Sequence, residues 1–455
     1  MTAYTSGNYI TVGGSGNTLA SITADINDAS FIEEVTPDYY LVKDRGSSGG
    51  LTISTGGELT IGDPTDFSVT ESLVLENLTS NRQRFYVYAG GICNVYGNTE
   101  LILASGSTTA YGGTTYNYGE FIMSGSSEYP VTFWGFRDIT QDANSVLRWN
   151  YVNVGKSSYR YGYMLSIKYP STMSISNCNL NTGIGAIPIY DARGNHQTEP
   201  IGHHTLFIDN CDFTNMAFPT CILDPAIKIT NSTFSVQNLN QYVTPARDPL
   251  GFSWIHGSTF TNDSGSDDQY VFEGSLMNNL IESSSITFSP TTRILSGLNV
   301  GGPSQRFMFK DVSFTSASYE KYSGTATYAV EYVNRLTVTV VDSTGSPVEN
   351  ARIAITQIDD YEAWSFKTNS SGQIDVYGYP WLLCTHYRKY GDYPLFYYDY
   401  KSDAVNGGGH NIVVIKAGYA TYNKTVYVSE DREVDIILQP LPKRHTNKSY
   451  YNKIR

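Results

Sequence analysis

Charged side chains are scarce in this chain: 16% of its residues are Asp, Glu, Lys or Arg, against ~25% in an average soluble protein. Its contact with water must therefore rest on Ser, Thr, Asn and Tyr. Cations are the scarcer sign, and a net charge of −13 excludes a polyanion such as nucleic acid as the expected partner. No run of 18 apolar residues occurs, so no membrane-inserted helix is expected. Met1–Ile10 lacks the basic and apolar regions of a secretory signal, so a leader is expected to have been removed or never used. Five cysteines are too few for a disulfide framework in a chain of this length. The pattern H-E-x-x-H and the EF-hand spacing are both missing, and no metal or other cofactor is expected.

Tyrosine is abundant, with 37 copies; phenols offer broad amphipathic surface at small entropic cost. A six-residue phrase also recurs. It reads W-N-Y-V-N-V from Trp149, I-S-N-C-N-L from Ile175, I-D-N-C-D-F from Ile208 and I-T-N-S-T-F from Ile229. I-H-G-S-T-F from Ile255, I-E-S-S-S-I from Ile281 and F-K-D-V-S-F from Phe309 complete the series. Its fourth residues, Val152, Cys178, Cys211, Ser232, Ser258, Ser284 and Val312, lie 26, 33, 21, 26, 26 and 28 apart. A period of this size means stacked units. Large apolar residues at the first and last positions, with a small fourth residue, suit strand, one-residue bend and strand, all three turned inward. Asn and Ser at the bends should form side-chain ladders, and Cys178 and Cys211 should be neighbouring buried thiols.

These phrases resemble the coils of the right-handed parallel β-helix found in the pectate-lyase-like superfamily. The resemblance implies an all-β fold and not an activity. Residues 1–45 are expected to cap the helix, with Asn17 as N-cap of a short helix bearing Leu19, Ile22 and Ile26 on one face. Residues 46–331 should form the coils, the earlier ones using Gly at their turns and turning Leu59, Ile61, Phe121 and Met123 inward. At about 26 residues each there would be roughly 11 coils, stacked ~4.8 Å apart. From Leu336 the text changes to L-T-V-T-V-V-D-S-T-G-S-P-V-E-N-A-R-I-A-I. Gly345, Pro347, Ala351, Gly372 and Gly418-Tyr419 resemble the carboxypeptidase regulatory-like domain, which implies a transthyretin-like β-sandwich over 332–442. A Tyr-dense insertion at 377–403 departs from that pattern, and a basic tail follows at 443–455.

The interval between Cys178 and Cys211 is expected to bulge as a loop at 186–205, where function is often placed. Polysaccharide lyases and hydrolases on the resembling fold use carboxylates beside a cation, and the low-ranked candidates here are Asp209, Asp212, Asp191, Arg193 and His196. The Tyr-dense insertion supplies the binding or assembly candidates: Tyr377, Tyr379, Trp381, Tyr387, Tyr390, Tyr393, Tyr397, Tyr398 and Tyr400. Together these features lead us to expect a non-enzymatic structural or adhesive protein, of the phage tail-spike or fibre plan, on a virion or cell surface. It would associate with itself, and with a host-surface glycan or other virion proteins. A cell-surface filament or surface-layer subunit, and a polysaccharide depolymerase, are the alternatives.

Overall fold

The computed structural model describes residues 3–44, 49–76, 84–105, 113–142, 144–156, 163–167, 172–181, 187–191, 206–216, 227–236, 252–262, 270–274, 278–288, 293–297, 305–314, 328–358, 363–376, 379–390 and 409–442. It is an all-β chain whose strands lie mostly in parallel sheets, with one helix, Leu19–Ile26, among the described residues. Two compact units separate between Val330 and Glu331; the first also takes Tyr390–Tyr397 and the second Tyr398–Arg455.

In the first unit the described strands form three columns of parallel pairs, visited in turn as far as Asp191; from Leu206 they alternate between the first two, with Tyr270–Gly274 and Arg293–Gly297 paired apart. One column holds Glu58–Ile61, Ile92–Tyr96, Glu120–Ser124, Val146–Asn150, Thr172–Ser176 and Leu206–Asp209, and continues in parallel register to Gln305–Lys310. A second holds Val152–Lys156, Asn179–Asn181, Asp212–Met216, Thr233–Val236 and Thr259–Asn262. The third runs from Tyr9–Val12 through Gly50–Ile53, Arg84–Val87 and Gly113–Asn117. Val131–Gln141 is long enough to join the last two columns, pairing Val152–Lys156 with its first half and Tyr163–Ile167 with its second.

Alternation fixes what is buried. Leu59, Ile61, Phe121 and Met123 are fully buried as the sequence requires, and so are Phe85, Leu101 and Phe133. Phe121 meets Phe133 edge-on at 5.9 Å, and Phe133 meets Trp149 at 5.8 Å. Further along, Phe213 and Phe234 stack at 4.6 Å. Because parallel strands place equal positions above one another, a ring in one coil lies on a ring in the next.

The recurring phrase is a strand, one left-handed residue and a second strand. Tyr151, Asn177, Asn210, Asn231, Gly257, Ser283 and Asp311 all have φ between 47° and 58°. That region suits Asn, Asp and Gly, which explains the composition of the third position. The expected Asn ladder is present in part: Asn210 Nδ2 donates to the bend below at Asn177 Oδ1 (2.7 Å), whereas Asn177 Nδ2 donates to Asn150 Oδ1 (2.8 Å) and Asn231 Nδ2 to Asp209 Oδ1, each one residue before a bend. The fourth position does more than fit a small space. Ser258 Oγ donates to its own coil at His256 O (3.1 Å) and accepts from the Ser232 amide of the coil before (3.2 Å). Ser232 repeats this with Thr230 O and the Cys211 amide, and Ser284 with Glu282 O and the Ser258 amide.

Cys178 and Cys211 continue the ladder as thiols, with Sγ near Ser176 O and Asp209 O at 3.0 and 3.2 Å. Both are free and buried, and burial pushes the Cys178 thiol well up. Amides inside the stack join other coils: Asn17 Nδ2 reaches Glu58 O, Asn117 Nδ2 reaches Val146 O, and Gln141 Nε2 reaches Thr172 O.

Two expectations need correction. The helix N-cap is Thr18, whose Oγ1 accepts from the Ser21 amide while Ser21 Oγ accepts from the Thr18 amide. Asn17 is instead buried, engaged with Gly13, Gly14 and Glu58 carbonyls. The interval after Cys178 is also not loop throughout: Ile187–Asp191 is a strand paired with Tyr163–Ile167, since I-P-I-Y has the apolar alternation of a strand. Residues 192–205 lie outside the described set.

The second unit has its own core, including Leu336, Val338, Ile353, Ile374, Ile412 and Ile436. An antiparallel sheet runs in the order Ala363–Lys367, Arg352–Gln357, Gly409–Ile415, Tyr422–Tyr427. Tyr328–Asp342 pairs in parallel with Arg432–Leu438 from Leu336 onward. At its first turn Asp342 Oδ1 accepts from the Thr344 and Ser346 amides, which holds its carboxyl below the usual range together with the larger effect of the Thr344 hydroxyl. Gly345, Gly372 and Gly418 all have positive φ. At Gly372 a Cβ would also approach Val340 O to 2.4 Å.

Candidate functional site

Asp209 ends its strand in an outward row that register extends through Thr230, His256, Glu282 and Lys310. Its carboxylate is engaged within the stack, since Oδ1 accepts from Thr230 Oγ1 and from Asn231 Nδ2. Glu282 is 2% exposed despite its charge. Trp254 Nε1 donates to its Oε2 at 3.1 Å, His256 Nδ1 lies 3.4 Å from the same oxygen, and Lys310 Nζ lies 3.9 Å from Oε1. Lys310 also pairs with Asp311, and Lys228 Nζ sits 4.3 Å above the Trp254 ring. A buried carboxylate is tolerable only with such partners.

This row does not gather a hydrolytic pair. Asp209 and Glu282 are three strand spacings apart, about 14 Å, whereas sugar-cleaving carboxylates sit about 5–10 Å apart. Asp212 lies beyond the bend, exposed in a different column. Asp191 is the last residue of its strand, opposite Ile167. Arg193 and His196 lie outside the described residues. Among the described residues, no group of three or more His, Cys, Asp and Glu could hold a metal ion.

The Tyr-dense insertion is described only at its edge. Tyr379 and Trp381 stack at 4.9 Å, and the Arg335 guanidinium lies 4.7 Å over the Trp381 ring. Burial raises the Tyr379 phenol while Arg335 lowers it, the first effect being larger. Both rings are half-buried and occupied with one another. The backbone of Tyr387 and Tyr390 belongs to Trp381–Tyr390. Tyr377, Tyr393, Tyr397, Tyr398 and Tyr400 lie outside the described residues.

A different aromatic surface stands on the first unit. Tyr86 stacks on Tyr116 of the adjacent coil at 4.8 Å, and Tyr88 on Tyr118 at 6.0 Å. Along the strands Tyr86 and Tyr88 are 5.7 Å apart, and Tyr116 and Tyr118 6.4 Å, all within 14° of parallel. Tyr9 closes one side, edge-on to Tyr86 at 6.1 Å, and Arg84 Nη1 donates to the Tyr86 hydroxyl at 3.1 Å. Y-V-Y from Tyr86 and Y-N-Y from Tyr116 are the signal that could have revealed it: the same alternation one coil apart. Parallel phenols in such an array give an apolar body with a fringe of hydroxyls, suited to partners carrying many hydroxyls.

No known family model matches the chain, and no curated protein matches its sequence.

Proposed function

We propose that the chain is a non-enzymatic structural or adhesive protein built on a right-handed parallel β-helix. Its helix Leu19–Ile26, which packs on the first strands, would cap the open end, and the second unit would be a carboxypeptidase regulatory-like sandwich. The observation that carries the reading is the use of the outward polar groups. Asp209, Thr230 and Asn231 bond along the stack, and Glu282 bonds to its neighbours. Such groups tie neighbouring strands together and stiffen a scaffold. They do not converge on a reacting atom.

The plan fits a virion appendage of the tail-spike or fibre kind, with the Tyr86/Tyr116 array as contact surface for a glycan or a neighbouring chain. The test is incubation with a panel of acidic and neutral polysaccharides. No unsaturated product and no new reducing ends are expected. Appearance of either, lost in Asp209→Asn or Asp212→Asn, would overturn the reading.

A further inference from the structure

Trp134, on the strand Val131–Gln141, is 47% exposed. Its partners in register are Ile102 on one side and Gly155 on the other. A Cβ added to Gly155 would lie 1.6 Å from both Cε3 and Cζ3 of that indole, and 2.5 Å from Cδ2. The benzenoid ring therefore occupies the place where any other residue would put its side chain. Gly155 does not have the left-handed φ that demands glycine elsewhere in this chain. The seat of the ring is thus what requires a glycine there. An indole laid on the sheet at one face turns its other face to water, which is the origin of its exposure.

A polar edge runs alongside. Two residues earlier on the successive strands, Glu100, Thr132, Asn153 and Asn179 stand in register on the same outer surface. Glu100, Asn153 and Asn179 are exposed and Thr132 is half-buried. These four residues offer one carboxylate, one hydroxyl and two amides, with no cation among them. An apolar plate beside amide and hydroxyl groups and one carboxylate acceptor matches a pyranose ring, which has a C–H face and a rim of hydroxyls. The carboxylate of Glu100 and the absence of a cation among the four disfavour an acidic sugar. The open indole face is about 100 Å², far below the ~800 Å² per partner of a stable protein interface. By itself the plate is sized for a single sugar ring rather than for a second copy of the chain.

We propose that Trp134, seated on Gly155 and edged by Glu100, Thr132, Asn153 and Asn179, is a stacking platform for one pyranose ring of a neutral glycan. This inference rests on the adhesive reading above and assigns it a site.

Affinity electrophoresis of the full chain through gels containing lichenan, xylan, galactomannan or dextran tests it. At least one polysaccharide should retard the protein, and Trp134→Ala should weaken that retardation at least tenfold. Gly155→Ala keeps the indole but lifts it from its seat, so it should weaken binding to a similar extent while increasing quenching of Trp fluorescence by iodide. The displaced atoms belong to a side chain free to swing into water, and Trp134→Ala with Gly155→Ala should bind no worse than Trp134→Ala alone. Failure of all four polysaccharides to retard the wild-type chain overturns the site. Retardation that survives Trp134→Ala also overturns it, but leaves the adhesive reading standing. A fall in sedimenting mass in Trp134→Ala would make the indole a self-association surface and overturn the glycan assignment. Depolymerisation of the gel polysaccharide would strike the non-enzymatic reading instead, with the site still judged by retardation.

Discussion

At the scale of single residues, the fourth position of the phrase ties one coil to the next. Replacing Ser258 by Ala would leave the Ser232 amide without its acceptor, and an orphaned buried donor costs about 1–3 kcal/mol. Ser258→Cys should lose less, because thiols already fill the same rung at Cys178 and Cys211. Urea denaturation of the two variants would rank them, and an Ala variant as stable as the wild type would count against the ladder. Gly257 interrupts the series of bend asparagines with φ of 58°. Gly257→Ala should destabilise by about 1 kcal/mol. Gly257→Asn should be close to neutral, since Asn tolerates that conformation and its amide could reach Asn231 Oδ1. The smallness of the fourth residue and the polarity of the third were legible in the sequence. The hydroxyl's two hydrogen bonds, one donated and one accepted, were not, because Cys, Ser and Val are alike in size and only Ser shows strongly what the position does.

At the scale of elements, register decides which side chains are inside. Ile208 is buried between Ile175 and Ile229 in register. Ile208→Asp should therefore cost several kcal/mol, on the order of 3–5. The entry strands hold an acidic group with a pH signature. Tyr40 is pushed up to about 12, by burial first and then by Glu34, Glu71 and Asp38. Burial raises the Glu71 carboxyl, against the Gly62 amide that donates to it, and Asp38 and Glu34 raise it further. An acid with a raised folded pKa binds its proton more tightly when folded. Its favourable share of stability is complete below its ordinary value of 4.5 and is lost as pH rises through the raised value. Glu71→Gln should accordingly raise Tm at pH 7 more than at pH 4. The gain is small, because the carboxyl keeps some contact with water. Equal shifts at both pH values would refute the burial argument. The helix was legible from Leu19 and Ile22, but its cap was misplaced by one residue. Asn17 and Thr18 are both good caps, and only the coil beneath, through Glu58 O, decides which one turns inward.

For the whole molecule, two cores imply two transitions. In calorimetry Ile208→Asp should lower one transition alone, and Ile353→Asp, in the core of the second unit, should lower the other alone. A single transition displaced by both variants would show that the units unfold as one. The repeat was legible at this scale because seven phrases sample the same environment. The surface was much less so. Sequence density drew attention to Tyr377–Tyr400, yet the described array is Tyr86, Tyr88, Tyr116 and Tyr118, two pairs separated by a full repeat of chain. Each pair alone, Y-V-Y or Y-N-Y, reads as ordinary strand alternation, and only stacking joins the two.

The hydroxyl ladder also has a direction. The bend amides of Cys211, Ser232 and Ser258 each bond to an oxygen that lies later in the chain. The third-position amides of Asn210, Asn231 and Gly257 bond forward as well, so a nascent chain leaving the ribosome would carry two unsatisfied bend amides at its growing edge, answered only when the next repeat is made. Parallel strands would be added from the N-terminal end in step with translation, and at any moment the newest repeat would be the vulnerable one.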